Sequence, residues 1–543
     1  MSDSLLFDGH GGRLAVEVLK AHDVDVMFTL SGGHLFVLYD GCVAGDLPLV
    51  DVRHEQTATF AAEGWAKVTR RPGCAALTAG PGITNGVSAM AAAQMNGTPM
   101  IVLGGRAPMG RWGTGSLQEL DHVPIVATVV RRAATATGPE SIVAELHASL
   151  MESRSPHRGP TFVDIPLDVF GPGAVAIPAV ETMETAGIAP DPAVITQISK
   201  LVGEASRPVL IAGADVYWGN AEEAMVTWAS VARVPVFVNG MGRGTIAADH
   251  DLAFSRTRST ALRGADLVLV AGTPLDFRLG FGQFGDARVI HICDSPSEVS
   301  PHAALEASSG ADLQRTFLEL AEQASGAAGH RDWIAKLRDE ENLARSADAA
   351  ALNASTDPIK PTRIYGELRR RLDRDAIVIG DGGDFVSYAG KYVDSYSPGT
   401  FLDPGPFGCL GMGPGYALAA GRARPDKELV VLFGDGAVGF ALGDFDTLVR
   451  HKVNCTIIIG NNGIWGLEKH PMTAIFGYDV VADLRPGTRY DEVMVALGGG
   501  GEMVQRSDQI GAALDRAAAH KGPYVVNVLT DPTDAYPRSS NLA

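Results

Sequence analysis

The stretch Val430–Phe440, VVLFGDGAVGF, decides which kind of fold this sequence encodes. An apolar strand leads into a glycine-rich turn, and residues 434–439, GDGAVG, match the G-x-G-x-x-G fingerprint of dinucleotide-binding folds. That fingerprint also requires a ribose-binding carboxylate roughly 20 residues further on. Asp444 and Asp446 come too early for this role, and the next strand, residues 455–460, leads into two asparagines. The match alone therefore leaves the ligand of this loop open.

Short apolar runs alternate with helical patterns along the whole chain. Such alternation predicts an α/β fold whose parallel sheets are covered by helices on both faces. The apolar runs lie at residues 25–30, 75–80, 99–105, 161–167, 208–213, 235–240, 267–272, 289–293, 376–381, 429–436, 455–460 and 524–529.

Two stretches interrupt this alternation. Residues 171–195 are rich in Pro, Gly and Ala and are predicted to be a linker, and residues 340–358 form a charged, alanine-rich helix. We therefore expect three doubly wound parallel-sheet domains, at 1–178, 190–340 and 357–543. The first and last share an order of helix, basic turn, strand and glycine loop, which favours two related domains around a different middle one. The alternative is that all α/β units look alike.

Composition and charge exclude several classes of function. The net charge of −18 argues against nucleic acid and anionic membrane surfaces, which select for basic patches. The five cysteines are scattered without a CxxC pair and are expected to be reduced thiols. Neither a signal peptide nor an apolar run of membrane-spanning length is visible. We expect a cytoplasmic protein that acts on a small molecule.

The aspartate inside GDGAVG favours a metal over a dinucleotide. Asp435 and Asn462 each follow a strand, and parallel neighbouring strands bring both to one edge of the sheet. With the backbone carbonyl of Ile464 they form a set of hard oxygen ligands that suits Mg²⁺ or Ca²⁺ holding a diphosphate. A carboxylate pressed against a bare pyrophosphate would instead repel it. The sequence therefore predicts a metal–diphosphate site, with a helix opening at Ala437 that adds its N-terminal amides.

These motifs carry a resemblance to a known family. GDGAVG followed by IIIGNN resembles the signature of thiamine-diphosphate-dependent enzymes, and upstream the chain shows Arg53-His54-Glu55-Gln56, then AAEGWAK, then GPGITN at 80–85. The whole chain is similar to the branch that contains acetolactate synthases, benzaldehyde lyases and 2-hydroxyacyl-CoA lyases, and it resembles actinobacterial acetolactate-synthase-like proteins and short-chain 2-hydroxyacyl-CoA lyases. The resemblance implies a pyrimidine domain, a middle domain and a diphosphate domain, with thiamine diphosphate and Mg²⁺ as cofactors.

The resemblance also implies which residues contact the cofactor. Leu410 would be the bulky apolar residue under the thiazolium, although it could equally be a core residue of its loop. The implied contacts are Gly33, Pro81, Asn85, Gly383, Asp384, Phe385, Gly408, Leu410, Gly434, Gly436, Ala437, Trp465, Gly466 and Leu467, with Asp435, Asn462 and Ile464 on the metal.

Four residues are candidates for catalysis. Glu55, which could be no more than an acid at a helix N-terminus, would hydrogen-bond the aminopyrimidine and pass the activating proton. His34 matches an active-site histidine of benzaldehyde lyase, and Gln118 matches a glutamine shared by these families; a loop histidine is otherwise a capping or solvated residue. Glu468 stands in NNGIWGLEKHPM, where acetolactate synthases differ, and is either a solvated acid or a base for a substrate hydroxyl.

The middle domain offers candidate nucleotide contacts at Gly213, Arg258, Arg278 and Asp294. Relatives hold FAD, ADP or nothing in this domain, and the sequence leaves these three alternatives open.

His34, Gln118 and Glu468 together favour one reaction. We expect a lyase that reversibly cleaves a short 2-hydroxyacyl-CoA to formyl-CoA and an aldehyde or ketone, the alternative being an acetolactate synthase that joins two pyruvates with loss of CO₂. A regulatory nucleotide-binding protein with a decayed site is the non-enzymatic alternative, which the presence of Glu55, Asp435 and Asn462 disfavours. Family enzymes build this site from two chains, which implies at least a homodimer, and we expect a homotetramer.

Overall fold

The computed structural model of the chain describes residues 5–177, 187–324, 330–534 and 536. The linker predicted over 171–195 and the outer ends of the predicted first and last domains lie partly outside these residues. No helix in the described ranges is both long and apolar enough to cross a bilayer.

The first domain is built on a six-stranded parallel sheet with the order β3-β2-β4-β5-β7-β6, and two further strands, β1 and β8, pair antiparallel beside it. Its strands are β1 (Leu5–His10), β2 (Met27–Thr29), β3 (Leu49–Asp51), β4 (Gly73–Leu77), β5 (Met100–Arg106), β6 (Arg132–Thr135), β7 (Pro160–Pro166) and β8 (Pro172–Ile177). Its helices are α1 (Gly11–Ala21), α2 (Phe36–Ala44), α3 (Glu55–Thr69), α4 (Pro81–Met95), α5 (Val123–Val126) and α6 (Pro139–Arg154).

The middle domain has a five-stranded parallel sheet with the order β10-β9-β11-β12-β13. Its strands are β9 (Pro208–Ala212), β10 (Val236–Val238), β11 (Leu267–Ala271), β12 (Arg288–Cys293) and β13 (Ala307–Gly310). Its helices are α7 (Pro192–Glu204), α8 (Ala214–Trp218), α9 (Glu222–Ala232), α10 (Arg258–Gly264) and α11 (Leu313–Gln323), followed by the charged helix α12 (His330–Leu352) that leads to the last domain.

The last domain has a six-stranded parallel sheet with the order β15-β14-β16-β17-β19-β18. Its strands are β14 (Ile377–Asp381), β15 (Phe401–Leu402), β16 (Leu429–Gly434), β17 (Cys455–Asn461), β18 (Gly500–Val504) and β19 (Pro523–Leu529). Its helices are α13 (Pro361–Leu368), α14 (Gly383–Tyr392), α15 (Gly413–Ala423), α16 (Asp435–Val438), α17 (Phe445–Arg450), α18 (Gly466–Phe476), α19 (Tyr490–Ala496) and α20 (Ile510–Ala519).

The first and last six-stranded sheets share one topology. Written in chain order, the second strand of each lies outermost beside the first, and the first is followed in space by the third, fourth, sixth and fifth. The middle sheet keeps only the start of this order. The fold class expected from the sequence, three parallel-sheet α/β domains, is confirmed, and the flanking pair is related in topology.

One detail of the GDG loop differs from the expectation. The helix after β16 begins at Asp435 itself and ends at Val438, so it is a single turn and not the longer helix expected from Ala437. The chain continues through a 3₁₀ turn into α17. A single turn has a smaller macrodipole than a longer helix, so the attraction of this N-terminus for an anion is weaker than the sequence indicated.

Helices α3 and α15 join the first and last domains. Phe60 and Tyr416 pack edge to face with ring centroids 6.1 Å apart, inside a hydrophobic cluster that continues through both sheets. Gly64 allows the close approach, because a Cβ there would lie 2.9 Å from the Tyr416 Cα. Lys67 and Glu63 form a fully buried ion pair in the same seam, and the Lys67 ammonium donates to the Tyr416 hydroxyl at 2.7 Å. The two domains are therefore packed as one body.

We expect Gly460→Ala to destabilise the last domain. Gly460 lies in β17 under the ring of Phe385, and a Cβ would overlap that ring. Overpacking of this kind costs about 1–3 kcal/mol, so the melting temperature should fall by several degrees. Gly203→Ala is the matched control, since Gly203 lies in α7 with open space around it and should be neutral or slightly stabilising. An unchanged melting temperature for Gly460→Ala would contradict this packing.

Candidate active site

The carboxyl edge of the last sheet holds a cavity of about 380 Å³, hereafter the large cavity. It lies where β14 and β16 end, and these strands mark the point at which the strand order reverses. Open α/β sheets bind their ligands at such switch points. The loops after β14, β16 and β17, the loop at residues 404–410, and Phe277 from the middle domain form its walls.

Every site residue predicted in the last domain lines the large cavity. The sequence motifs that carry these residues are up to 85 positions apart, between Gly383 and Glu468, and the sheet brings them together. They are Gly383, Asp384, Phe385, Gly408, Leu410, Gly434, Asp435, Gly436, Ala437, Asn462, Ile464, Trp465, Gly466, Leu467 and Glu468.

Asp435 is a buried carboxylate at the floor of this cavity. Its two oxygens accept the backbone N–H groups of Gly436 at 3.1 Å and Gly463 at 2.8 Å. Burial nevertheless raises the pKa of Asp435 to about 6, because desolvation of the charged form outweighs these hydrogen bonds. The β16–β17 register pairs Gly434 with Gly460, which places Asn462 on the same edge. Within the described residues, the hydrogen bonds to the Asp435 carboxylate come only from backbone N–H groups, and a divalent cation would supply a positively charged partner for it.

Glycines shape the wall around Asp435. A Cβ at Gly436 would overlap the indole of Trp465, and a Cβ at Gly383 would lie 2.6 Å from the side chain of Leu467. A Cβ at Gly466 would lie 2.5 Å from a carboxylate oxygen of Asp384. Glycine is required here for close packing between the three loops, which supports the non-dinucleotide interpretation of GDGAVG.

Leu410 is held in position by hydrogen bonds from both sides of its loop. Asp381, at the end of β14, accepts the N–H groups of Gly411 at 3.1 Å and Gly413 at 2.7 Å. Burial raises the pKa of Asp381 to about 7. Gln56, next to Glu55 in the first domain, donates to the Leu410 carbonyl at 3.3 Å. Leu410 therefore belongs to a positioned loop that lines the cavity and is not simply a core residue.

The predicted first-domain residues form a second group, the first-domain cluster: Gly33, His34, Glu55, Pro81, Asn85 and Gln118. Glu55 opens α3 and accepts a hydrogen bond from Asn85 at 3.0 Å. Gly33 opens the 3₁₀ turn that carries His34, and Pro81 opens the helix that carries Asn85. In the described part of one chain, the walls of the large cavity contain no member of this cluster.

His34 is buried beside Gln118. Its ring lies 3.4 Å from the Thr78 hydroxyl and forms a hydrogen bond with the backbone of Leu117. Burial lowers the pKa of His34 from its ordinary value, so the imidazole is neutral near pH 7. Gln118 has a φ of 56° and packs on Gly80, whose virtual Cβ would lie 3.0 Å from the Gln118 Cβ. A neutral imidazole and an amide can orient a carbonyl or hydroxyl group without adding charge.

A buried chain of hydrogen bonds supports this cluster and was not predicted from the sequence. Asp164 binds the His122 ring at 2.9 Å, and the other ring nitrogen of His122 accepts the Gly80 N–H at 3.0 Å. Arg106 donates to the same Asp164 oxygen at 2.8 Å. These residues lie on separate elements, and the only signal in the sequence was an aspartate inside the apolar run of β7, residues 161–167.

Phe277 was also missed. It lines the large cavity from the middle domain and is 57% exposed in the single chain. The sequence had indicated its neighbour, Arg278, as a candidate nucleotide contact.

Comparison with known proteins shows the family to which this chain belongs. Thiamine pyrophosphate enzyme domain models match in order: the N-terminal TPP binding domain at 9–125, the central domain at 195–320 and the C-terminal TPP binding domain at 381–528. A probable acetolactate synthase of Mycobacterium bovis and the acetolactate synthase large subunit IlvG of Mycobacterium tuberculosis are each 53% identical to this chain, with 98% of both sequences covered. The chain belongs to the thiamine pyrophosphate enzymes. A 2-hydroxyacyl-CoA lyase 2 of Caenorhabditis elegans is 32% identical over 97% of this chain and 90% of its own.

Membership in the thiamine pyrophosphate enzymes confirms the family and the domain order inferred from the motifs. The two TPP binding domains correspond to the two sheets of shared topology, and the central domain corresponds to the five-stranded sheet. The first-domain cluster and the large cavity thus lie on the two domains that bind thiamine pyrophosphate in this family.

The middle-domain residues are not brought together in the same way. Arg258 donates to the carbonyl of Arg278 at 3.3 Å, and Arg278 pairs with Asp276 at 2.7 Å. Asp294 lies elsewhere, paired with Arg158 of the first domain at 3.1 Å. Gly213 begins the loop into α8 and packs against Thr273. A cavity of about 350 Å³ is lined by Arg278 but by none of Gly213, Arg258 and Asp294 among the described residues. A nucleotide contacted by all four is not supported by this arrangement, and its identity stays a prediction.

Proposed function

We propose that this thiamine pyrophosphate enzyme joins two molecules of pyruvate into 2-acetolactate with release of CO₂. The observation that carries this proposal is the 53% identity, over 98% of both sequences, to relatives named acetolactate synthases. The relatives named 2-hydroxyacyl-CoA lyase 2 share 30–32% of their residues. This reverses the order of the two reactions expected from the sequence, where the lyase came first.

The residues of the large cavity fit thiamine diphosphate with Mg²⁺. Asp435, Asn462 and the Ile464 carbonyl would hold the metal, because each offers one hard oxygen ligand. The carboxylate of Asp435 is buried and its hydrogen bonds do not offset the cost of burying its charge. The thiazolium of the bound cofactor supplies an electron sink for the carbon next to a carbonyl. Leu410 would support that ring from below, on a loop fixed by Asp381. The glycine-lined wall between Gly383 and Trp465 would let the diphosphate approach the backbone.

In this proposal the first-domain cluster comes from a second copy of the chain. Glu55 would hold and pass a proton at the aminopyrimidine, and Asn85 orients its carboxylate. Large apolar side chains are exposed close to both halves of the site: Leu117 at 77%, Phe440 at 58% and Phe407 at 46%. Exposed apolar groups of this size mark an interaction surface. These observations support at least a homodimer, and we retain a homotetramer as the expected assembly.

The second candidate is the cleavage of a 2-hydroxyacyl-CoA, and Glu468 is the observation that favours it. Glu468 lines the large cavity, is exposed in the single chain, and has no ion-pair partner within the described ranges. The neighbouring Lys469 is occupied by Asp479 at 2.8 Å and Asp483 at 2.6 Å, so it does not neutralise Glu468. A carboxylate about 4 Å from the carboxylate of pyruvate would cost on the order of 4 kcal/mol at an effective dielectric of about 20. The same group could accept a proton from a 2-hydroxyl.

Cofactor binding should weaken in acid because of Asp435. Its carboxyl has a pKa of about 6 without metal, above its ordinary value, so below pH 6 a proton must leave before a cation binds. The apparent affinity for Mg²⁺–thiamine diphosphate should therefore fall by about tenfold per pH unit below about 6, measured by titration calorimetry. Asp435→Asn is the control: it should bind more weakly at every pH and keep only the pH dependence of the ligand itself. Equal affinity of wild type and Asp435→Asn at pH 7 would contradict the metal assignment.

Hybrid dimers should reveal whether the site is shared between chains. Glu55→Gln and Asp435→Ala each remove one half, so each variant alone should lose C2–H exchange of thiamine by roughly 10² to 10⁴-fold or lose the cofactor. A hybrid purified through two different tags would contain one intact site if each site uses both chains. It should then exchange at about half the wild-type rate, measured by NMR on quenched samples. A hybrid as inactive as its parents would show that one chain builds its own site.

Glu468→Gln separates the two reactions. We expect wild type to form 2-acetolactate from pyruvate and the variant to keep or exceed that rate, because removing a negative charge cannot hinder an anionic substrate. Any cleavage of a 2-hydroxyacyl-CoA should instead be lost, since glutamine accepts no proton. Glu492→Gln, an exposed acid paired with Arg489 in the same domain, is the matched control. Release of formyl-CoA by wild type without turnover of pyruvate would overturn the synthase proposal in favour of the lyase.

A further inference from the structure

A small cavity of about 40 Å³ lies at the seam between the middle and last domains, with no lining residue in common with the large cavity. We refer to it as the seam cavity. Its apolar wall comes from β10 and its neighbours, including Val236, Val238 and Phe254. Its charged wall consists of Arg243, Arg256, Arg345, Lys391 and Asp394.

The charges around the seam cavity do not balance. Arg345 pairs with Glu341 and Asp394, and Asp394 also pairs with Arg369. Asp348 pairs with both Arg256 and Lys391. Arg243 has no carboxylate partner among the described ion pairs. Asp403 acts on Arg243 without forming an ion pair with it, so five cations face four carboxylates. The excess is still positive, in a site that is partly walled by apolar side chains.

Two buried guanidinium nitrogens in this wall have no hydrogen-bond partner among the described residues. The Arg256 side chain is only 4% exposed; its Nε donates to Asp348 at 2.7 Å and its Nη1 to Ser255 at 3.0 Å, but its Nη2 is left without an acceptor. Arg243 donates through Nη1 to the Gly390 carbonyl at 3.0 Å, while its Nε is also left without an acceptor. Leaving a buried charged donor unpaired is costly, more so than for a neutral group.

Burial also acts on the charge of Arg243 itself. Desolvation lowers the pKa of Arg243 from its ordinary value; the charge of Asp403 opposes this effect and the nearby Arg256 adds to it. The guanidinium remains charged at physiological pH, because arginine stays protonated up to very high pH. The site therefore combines fixed positive charge, unmet donors and enclosed space.

We propose that the seam cavity binds a small inorganic monoanion of about the size of chloride. An anion would accept from both unpaired guanidinium nitrogens and would offset the local positive charge, whereas a water molecule could accept the hydrogen bonds without offsetting the charge. The cavity has room for a few water molecules and is too small for a nucleotide or an organic acid of substrate size.

The bound anion would tie two domains together. Arg243 and Arg256 belong to the middle domain, and Lys391 and Asp394 stand at the end of α14 in the last domain. α14 begins at Gly383 in the wall of the large cavity, so the site stabilises the far end of a helix that lines the thiamine site. The expected role is structural and independent of which reaction the enzyme performs.

Bromide diffraction tests the site directly. Crystals of the full-length holoenzyme grown with roughly 100 mM bromide should show an anomalous peak within hydrogen-bond distance of Arg256 Nη2 and Arg243 Nε. The melting temperature in chloride should exceed that in gluconate at equal ionic strength by roughly 2 °C, because gluconate is too large to enter. A seam cavity that contains only water, or a bromide peak that appears only at molar concentration, would overturn the proposal.

Arg256→Lys provides the matched comparison, since it keeps the positive charge but removes Nη2. The variant should lose the difference between chloride and gluconate. Arg338→Lys is the control and should keep the difference between chloride and gluconate. Arg338 lies on α12 outside the seam cavity and donates to backbone carbonyls nearby. If Arg256→Lys does not fold, the wild-type diffraction and the two-salt comparison still decide the question. An Arg256→Lys variant that melts with the wild-type chloride difference would exclude a role for the site.

Discussion

The packing of α3 against α15 is the contact on which the rest of this enzyme depends. Helix α3 begins at Glu55, and α15 begins directly after the loop that carries Leu410, so one helix pair fixes residues of both thiamine-binding domains. The close approach requires Gly64 opposite Tyr416. The buried Lys67–Glu63 pair lies in the same seam, bonded to Tyr416 and Asn96. A buried ion pair adds little net stability but penalises any slip that would leave one charge unpaired, which suits a contact that sets register.

Three buried aspartates of the last domain show how partners decide the role of one residue type. Asp381 accepts two backbone N–H groups and holds the Leu410 loop. Asp444, too near the GDG loop in sequence to bind a ribose, accepts from the Arg53 backbone, Thr57 and Thr447 and so fixes the start of α3. Asp435 has only the N–H groups of its own and a neighbouring loop, and burial raises its pKa to about 6. Of the three, Asp435 alone lines the large cavity, which is why the proposed metal site is placed on it.

The sequence predicted the central strands of the sheets better than the edge strands. The twelve apolar runs predicted the eleven inner strands of the three sheets and the edge strand β10. The strands β6, β13, β15 and β18 were not predicted, and each lies at the edge of its sheet. Edge strands are short and half exposed, so β6 (RAAT) and β13 (ASSG) lack a continuous apolar signal. In the site, strand-end motifs predicted the cavity wall of the last domain. Phe277, His122 and Asp164 could not be predicted, because their roles arise from contacts between domains or between elements far apart in sequence.

The two candidate reactions make different demands on the same wall. In both proposed reactions a neutral His34 and the amide of Gln118 would orient a carbonyl group. The two reactions would differ at Glu468, whose negative charge would disfavour a 2-keto acid and would assist removal of a hydroxyl proton. Glu468 is the third residue of α18, a helix with no fully buried residue in the single chain. The C-terminal part of this helix, residues 473–476, is exposed and is free to be covered by another chain. If a second copy covers α18, the cover sets the dielectric around Glu468, and with it the strength of the repulsion toward pyruvate. In the proposed homodimer, substrate preference and assembly would be linked through this one helix.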